Sequence, residues 1–188
     1  MSQKKVLTLW NEEAINEEDA RILRTPCVDM PVPLDADAKK AVETLRSAFL
    51  ERDDALGLAA PQIGISKKMI AFRTKGFDDK DTFNKNEGEY EILINPRITQ
   101  ARGDLVFMAE GCLSCPEVQV EVGRSPEIKV RAEDINGRKI NKRYNDFLAR
   151  IVQHEIDHLD GKLIVDYEGP VSFPKKRSAF FKKLFRLN

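Results

Sequence analysis

Two histidines and the glutamate beside the first of them are the residues whose spacing most directly indicates chemistry. They form His154-Glu155-Ile156-Asp157-His158, and the chain contains 2 histidines in all. On a helix, two imidazoles one turn apart can bind one metal ion, and a glutamate next to the first can reach water on that ion. The alternative is a pair of hydrogen-bonded core histidines with an exposed glutamate. The motif therefore predicts a metal site that needs a further ligand from elsewhere in the chain.

A third protein ligand is expected because hydrolytic zinc sites use three protein ligands and leave one position open for water or substrate. No histidine follows His158, so a third histidine shortly after the motif is excluded. A thermolysin-like peptidase would use one of three downstream carboxylates, Asp160, Asp166 and Glu168. We favour Cys112 in the upstream segment Glu110–Pro116, which would give a Cys-His-His site.

Cys115 raises another alternative, in which Cys112 and Cys115 join both histidines in a closed Cys2His2 zinc site of purely structural use. Residues 116–153 separate Cys115 from His154, far more than the roughly 12 residues of a compact finger. If the segment is extended, residues 112 and 115 point to opposite faces and one thiol alone meets the metal. We therefore expect an open site without Cys115.

Three helices are predicted, and the second carries the histidines. Asp35 is expected to cap a helix that ends near Asp53, because its apolar residues follow helical spacing. These residues are Ala41, Val42, Leu45, Ala48 and Phe49. Asn145 is expected to cap the second helix, in which one stripe contains Phe147, Ile151, His154 and His158. Both histidines then continue the buried face.

The remaining patterns predict strands and loops. Strands are expected at Met69–Phe72, Glu91–Ile94, Gln119–Val122, Ile128–Val130 and Lys139–Tyr144. Asn136-Gly137 predicts a hairpin turn, and Gly57–Gly64 and the polar stretch Lys75–Gly88 are predicted loops, the latter exposed. The predicted fold class is α+β: a single domain over residues 1–188, with antiparallel sheets packed around a central helix that carries the HExxH motif.

The C-terminal stretch Pro174–Asn188 is basic and predicts an amphipathic helix. Its apolar residues at helical spacing are Phe180, Phe181, Leu184 and Phe185. We expect this helix to dock on the domain's own surface. Ribosome contact through its lysines and arginines is a further hypothesis.

Composition limits the classes of function. With 188 residues and 41% hydrophobic content, one compact domain is expected. The 31 basic and 31 acidic residues balance, so no global field attracts nucleic acid or an anionic membrane, and no sequence-specific nucleic-acid binding is expected. Met1–Leu9 lacks a secretory apolar region, and no run is long enough to span a membrane, which predicts a soluble cytoplasmic protein. The 3 cysteines are expected to be reduced, with Cys27 as a small apolar filler.

Three segments together resemble the peptide deformylase family: Gly57–Gly64, Glu110–Ser114 and Gln153–Gly161, in the family's order. The resemblance runs from about Arg21 to Tyr167 and rests on several agreeing motifs. It implies hydrolysis of the N-formyl group of N-terminal formyl-methionine in newly made polypeptides, by attack of metal-bound hydroxide on the formyl carbon.

The resemblance also implies roles for individual residues. Cys112, His154 and His158 would bind Fe²⁺, with Zn²⁺, Ni²⁺ or Co²⁺ as substitutes. Glu155 would move protons, while the Gln62 amide and the Leu113 backbone N–H would stabilise the oxyanion. Glu110 receives no catalytic role.

The partners implied are N-formyl-methionyl peptides. Residues expected near the bound peptide are Leu56, Gly57, Gly64, Met108, Phe147 and Ile151, for which ordinary core or turn roles are the alternative. Two departures from the family pattern are Ala55, where glycine is frequent, and Val118-Gln119, where several relatives carry arginine.

Overall fold

The structure is a computed structural model that describes residues 5–12, 14–75 and 89–186. Four helices are described: α1 (Glu17–Leu23), α2 (Ala36–Leu50), α3 (Asp146–Leu159) and α4 (Ser178–Phe185). Eight strands are described: β1 (Gly57–Ala59), β2 (Met69–Arg73), β3 (Tyr90–Arg102), β4 (Val106–Cys112), β5 (Cys115–Arg124), β6 (Glu127–Glu133), β7 (Lys139–Asn145) and β8 (Val171–Ser172). Short 3-10 turns occur at Ala60–Ile63, Ile164–Asp166 and Lys175–Arg177. The predicted α+β class is confirmed.

The strands form two antiparallel sheets. A five-stranded sheet has the order β1-β2-β3-β6-β7, and a three-stranded sheet has the order β4-β5-β8. The Asn136-Gly137 turn joins β6 to β7, with Gly137 at a φ of 77°, which a glycine adopts without steric cost.

Helix α3 lies against the five-stranded sheet through a buried face that shares only Ile151 with the predicted stripe, whose members Phe147 and His154 line a cavity. Its buried apolar residues are Ala149, Ile151, Val152, Ile156 and Leu159, and the sheet supplies Ile70, Phe72, Leu93, Ile128, Val130 and Tyr144. Burying each of the larger side chains contributes about 1.5–3 kcal/mol. Asn145 precedes the helix as expected, but its side chain makes no cap hydrogen bond, which corrects that part of the prediction.

Helix α2 begins where it was predicted and ends earlier. The Asp35 carboxylate accepts a hydrogen bond from the Ala38 N–H at 2.7 Å, which confirms the cap. The helix ends at Leu50 rather than near Asp53. Its buried face packs on β1 and β2 and completes a second cluster around Phe49.

Several strand boundaries differ from the predictions. Strand β3 does not end at Ile94 but continues through an irregularity at Asn95-Pro96, where Asn95 has a φ of 50°. A proline is tolerated at such a bulge, so the strand resumes beyond it. The Asn95 side chain accepts a hydrogen bond from the Met30 N–H at 2.7 Å, which fixes the bend. The predicted loop Gly57–Gly64 is instead β1 followed by a 3-10 turn.

Residues 76–88, most of the predicted exposed loop Lys75–Gly88, lie outside the described residues.

The C-terminal helix is described as α4 and docks on the domain itself. Phe181 is fully buried and packs edge to face against Trp10, with the two ring centroids 5.6 Å apart. We name the surrounding apolar group the terminal cluster; its buried members are Leu9, Trp10, Leu23, Cys115, Val118, Val120, Val122, Leu163, Ile164 and Phe181. None of the described helices is long and apolar enough to cross a membrane.

Candidate functional site

An open cavity of about 600 Å³ lies between α3, the β1 segment and the β4–β5 hairpin. Helix α3 forms one wall with Phe147, Ile151, His154 and Glu155. The hairpin contributes Ala109 to Cys115 apart from Ser114, and the β1 segment contributes Asp54 to Gly57 together with Gln62. The cavity therefore brings together all three sequence segments of the family resemblance.

The three predicted metal ligands lie together, and two of them, Cys112 and His154, line this cavity. One ligand atom each from Cys112, His154 and His158 falls within 4.8 Å of the others. The Cys112 Sγ and His158 Nε2 atoms are 3.3 Å apart, and the two imidazole centroids are 5.2 Å apart. Two ligand atoms held about 2.0–2.3 Å from one tetrahedral ion would be separated by roughly 3.5 Å. The spacing of these side chains thus fits a single ion.

Cys115 is not a member of this group, although the geometric reason differs from the one predicted. The segment is not extended: Leu113 and Ser114 form a turn, and Cys112 and Cys115 are partners on adjacent strands. Cys115 is 1% exposed and packs in the terminal cluster. Its thiol donates a hydrogen bond to the Cys112 sulfur, which lowers the pKa of Cys112 and raises that of Cys115.

The carboxylates of the peptidase alternative do not join the group either. Among the described residues, the group contains no oxygen ligand. Asp166 instead accepts hydrogen bonds from Arg24 and from the Leu163 N–H. The geometry therefore favours the Cys-His-His set over a thermolysin-like one.

Glu155 is buried beside the three candidate ligands. It is 4% exposed, and its Oε2 has no hydrogen-bond partner among the described residues. Burial disfavours the charged form and raises the pKa of Glu155 to about 7. A carboxyl group with this pKa both accepts and gives up a proton readily near neutral pH.

Gln62 is held by its side-chain oxygen, which leaves its amide nitrogen directed at the hairpin. Its Oε1 accepts a hydrogen bond from the Ala59 N–H at 2.9 Å, and its Nε2 donates to Ser114 Oγ at 3.2 Å. Nε2 also lies 3.8 Å from Cys112 Sγ. Leu113 follows Cys112 in the turn and lines the cavity. Both residues of the predicted oxyanion pair are therefore at the cavity.

A buried network of charged residues around Glu110 holds the His154 imidazole. The sequence analysis did not predict this network. Glu110 is 7% exposed and accepts hydrogen bonds from Arg124 at 2.8 and 3.0 Å, from Arg150 at 2.6 Å and from His154 Nδ1–H at 3.0 Å. Burial opposes ionisation of Glu110, but the hydrogen bonds from His154 and Arg124 outweigh it and lower its pKa to about 2. With Nδ1 bound to Glu110, the Nε2 atom of His154 is the one available to a metal.

The network extends from Glu110 to a second carboxylate through Arg124. Arg124 donates to Asp157 at 2.6 Å and to the Tyr167 hydroxyl at 3.0 Å, and Tyr167 donates to Asp157 at 2.7 Å. Asp157 is thus tied to His154 indirectly, through Arg124 and Glu110. A signal was present in the sequence: Arg150 lies one turn before His154 on a buried face, where an arginine needs a carboxylate partner.

Four of the six residues expected near the peptide line the cavity: Leu56, Gly57, Phe147 and Ile151. Two do not. Met108 is 43% exposed on the outer part of β4, and Gly64 is exposed at the end of the 3-10 turn with a φ of 78°. Strand β4 contributes to the cavity wall from Ala109 onward, and Gly64 serves the turn, so contact of these two residues with the peptide stays a prediction. Ala55 and Val118-Gln119, the departures from the family pattern, do line the cavity.

The site combines two imidazoles, a thiol and a buried glutamate beside an open cavity. This set of side chains is typical of a metal-dependent hydrolase. The comparisons with known proteins specify the class further. The family model for polypeptide deformylase matches residues 13–173. This chain belongs to the peptide deformylase family.

Individual relatives agree with the family match. Peptide deformylase 1 of Rickettsia conorii is 38% identical over 136 residues, which cover 72% of this chain and 74% of that protein. The chloroplastic peptide deformylase 1B of Solanum lycopersicum is 36% identical over 132 residues, covering 70% of this chain and 44% of that protein. The crystal structure of a Synechococcus elongatus peptide deformylase in complex with actinonin superposes with a TM-score of 0.70 at 31% identity, covering 96% of this chain and 87% of that one.

Proposed function

We propose that this protein removes the formyl group from N-formyl-methionyl peptides, with Cys112, His154 and His158 as metal ligands and Glu155 as the residue that moves protons. The observation that carries the proposal is the position of Glu155. It is buried at the cavity beside the three candidate ligand atoms, which lie within 4.8 Å of one another. Family membership supports deformylation as the reaction at this site.

The donor set fits a divalent transition metal. A thiolate and two imidazoles suit iron, zinc, nickel and cobalt, and we propose Fe²⁺ as the resident ion with the others as substitutes. When bound, the ion supplies Lewis acidity, which polarises the formyl carbonyl and lowers the pKa of water. The hydrogen bond between Glu110 and His154 fixes the orientation of that imidazole.

The protein's own groups would then handle protons and charge. Glu155, with its pKa raised to about 7 by burial, accepts a proton as water attacks the formyl carbon and returns it to the departing amine. The Gln62 amide and the Leu113 backbone N–H donate hydrogen bonds to the formyl oxygen as it becomes negative. The bond from the Ala59 N–H to Gln62 Oε1 holds that amide in place before substrate arrives.

Substrate selection would use the apolar part of the cavity. Leu56, Phe147 and Ile151 offer an apolar surface for the methionine side chain. The Ala55 and Val118-Gln119 substitutions line the same cavity, and we propose that they alter the preference for residues after methionine.

We further propose that residues 1–188 form one catalytic domain that works in the cytoplasm. Both sheets contribute to the cavity wall, which supports a single unit. Docking of α4 buries Phe181 and leaves Lys182 and Lys183 exposed. These lysines support the ribosome hypothesis, because exposed lysines attract the phosphates of RNA. The test compares how much of the original chain and of a Lys182→Glu/Lys183→Glu variant co-sediments with ribosomes. Equal amounts would contradict the ribosome hypothesis.

The deciding experiment measures formate release from a formyl-methionyl tripeptide, with protein purified without oxygen and supplied with Fe²⁺. Glu155→Ala is the matched control, since it removes the carboxyl group and leaves all three candidate ligands. Rapid release that is lost in the control, at equal metal content, is the expected result. No release from folded, metal-loaded protein would favour another acyl substrate or a non-catalytic metal module.

A further inference from the structure

The two cysteines of the β4–β5 hairpin face each other across the strands. Cys112 and Cys115 are register partners, joined by the Leu113-Ser114 turn. Directly opposed residues in antiparallel strands have Cα atoms about 4.5–5.5 Å apart. Disulfides need a Cα separation of about 4.4–6.8 Å. The backbone therefore already has the span of a disulfide.

The two thiols differ in their exposure to small oxidants. Cys112 is half-buried and lines the open cavity, so a small oxidant arrives at its sulfur. Cys115 also borders the cavity but is only 1% exposed, because it packs in the terminal cluster. Cys27, the third cysteine, is buried in a different cluster, where its N–H bonds to the Leu159 carbonyl. Only Cys115 is placed to react with an oxidised Cys112.

We propose that Cys115 is a resolving thiol, which converts peroxide oxidation of Cys112 into a reversible Cys112–Cys115 disulfide. In the first step the Cys112 thiol and hydrogen peroxide give a sulfenic acid and water. In the second step the Cys115 sulfur attacks the Cys112 sulfur: the S–S bond forms, the S–O bond breaks, and the hydroxyl leaves as water with the Cys115 proton. A dithiol reductant then restores both thiols.

This reaction protects a residue that would otherwise be lost. A sulfenic acid without a neighbouring thiol proceeds to sulfinic and sulfonic acids, which ordinary thiol reductants do not reverse. A disulfide also occupies the Cys112 sulfur, so it ends metal binding until it is reduced. This oxidation chemistry is separate from deformylation. It is detected on the two hairpin sulfur atoms themselves, without an assay of turnover.

The test treats the full zinc-loaded chain with hydrogen peroxide and then blocks the remaining thiols with N-ethylmaleimide. Trypsin releases residues 103–124 as one peptide that contains both hairpin cysteines, because no Lys or Arg lies between Arg102 and Arg124. In the original chain this peptide should lose the mass of two hydrogens and take up no maleimide. Met108 lies in the same peptide and is exposed, so fragment spectra must assign any added oxygen.

Cys115→Ser is the informative variant, and Cys27→Ser is the matched control. Cys115→Ser should gain oxygen atoms on Cys112 and fail to rebind zinc after dithiothreitol, whereas the original chain and Cys27→Ser should recover nearly all zinc binding. Zinc uptake before oxidation checks that each variant folds. If the original chain accumulates oxygen on Cys112 while Cys115 still reacts with maleimide, the proposal is overturned, whatever the variants do.

Discussion

Glu155 occupies the space that the missing side chain of Gly57 leaves open. A Cβ atom at position 57 would lie 2.3 Å from Oε1 of Glu155, well inside van der Waals contact. A side chain at residue 57 would therefore force the Glu155 carboxyl group to move from its present position. A position that sequence reasoning assigned to peptide contact thus also sets the place of the proposed proton carrier.

Gly57→Ala should displace the Glu155 carboxyl group and lower kcat for formate release by about 100-fold, since small misplacements of a catalytic group cost that much. Metal content should stay near that of the original chain, because Gly57 is not a ligand. Gly111→Ala controls for an added methyl group in the cavity wall; its Cβ meets nothing within 4 Å, so fold and metal content should persist. Unchanged kcat in Gly57→Ala would show that the carboxyl position is not critical.

Glu155 should make the metal-free protein less stable as pH rises. Its folded pKa of about 7 lies above the ordinary value of 4.5, so its neutral form is favoured by folding. This contribution is fully present below pH 4.5 and is lost as pH rises through 7. Metal-free Glu155→Gln should therefore be more stable than the original chain at pH 8, by roughly 3 kcal/mol from the size of the shift. Denaturant unfolding at pH 4 and pH 8 measures the difference; an equal difference at both pH values would contradict it.

Gln62→Leu should retain metal and fold but lose about 100- to 1000-fold in kcat, the usual cost of one oxyanion donor. The variant also removes the acceptor of the Ala59 N–H, which should lower stability by about 1–3 kcal/mol. Ser114→Ala is the companion variant, because it removes the oxygen that orients Nε2 and leaves the amide itself. Its loss of kcat should be smaller. Near-normal turnover in Gln62→Leu would remove this residue from the mechanism.

The buried network predicts a large stability loss for Arg124→Met. The change leaves Glu110 and Asp157 with one cation fewer in the interior and should cost about 3–5 kcal/mol in unfolding free energy. Arg143→Met is the matched control: Arg143 pairs with Glu127 at the surface, where such a pair contributes less than about 1 kcal/mol. Similar losses for both variants would argue against a special role of the buried pair.

Phe147→Ala should raise KM for a formyl-methionyl peptide more than it changes metal content, because Phe147 lines the cavity beside Ile151. Met108→Ala provides the contrast, since Met108 is 43% exposed and lies outside the cavity wall. Its KM should match that of the original chain. A rise in KM for Met108→Ala alone would instead support the predicted contact of Met108 with the peptide.

The features of the site that depend on helical periodicity or on a local hydrogen bond could be predicted from the sequence. Helical periodicity alone places His154 and His158 on one buried face, and the Asp35 cap follows from a local hydrogen bond. Contacts set by strand pairing were not predictable in the same way. Strand β4 shows no alternation of buried and exposed residues, so neither it nor the facing of Cys112 and Cys115 could be found from hydrophobic patterning.

The network around Glu110 was missed for a related physical reason. Its members come from β4, β5 and α3, and their meeting depends on the packing of a sheet against a helix. A single sequence carries only a partial signal of this, an arginine at a buried position such as Arg124 or Arg150. Such arginines are worth seeking whenever a histidine on the same helix is a candidate ligand.

The terminal cluster joins the two ends of the chain. Trp10, near the start, and Phe181, near the end, pack in the same apolar group as Cys115, which lies behind the Cys112 sulfur. During synthesis, the support for this side of the cavity stays incomplete until α4 has left the ribosomal tunnel, because Phe181 belongs to the apolar group behind the hairpin. The wall that holds Cys112 is therefore completed after strands β4 and β5 have been made, and not together with them.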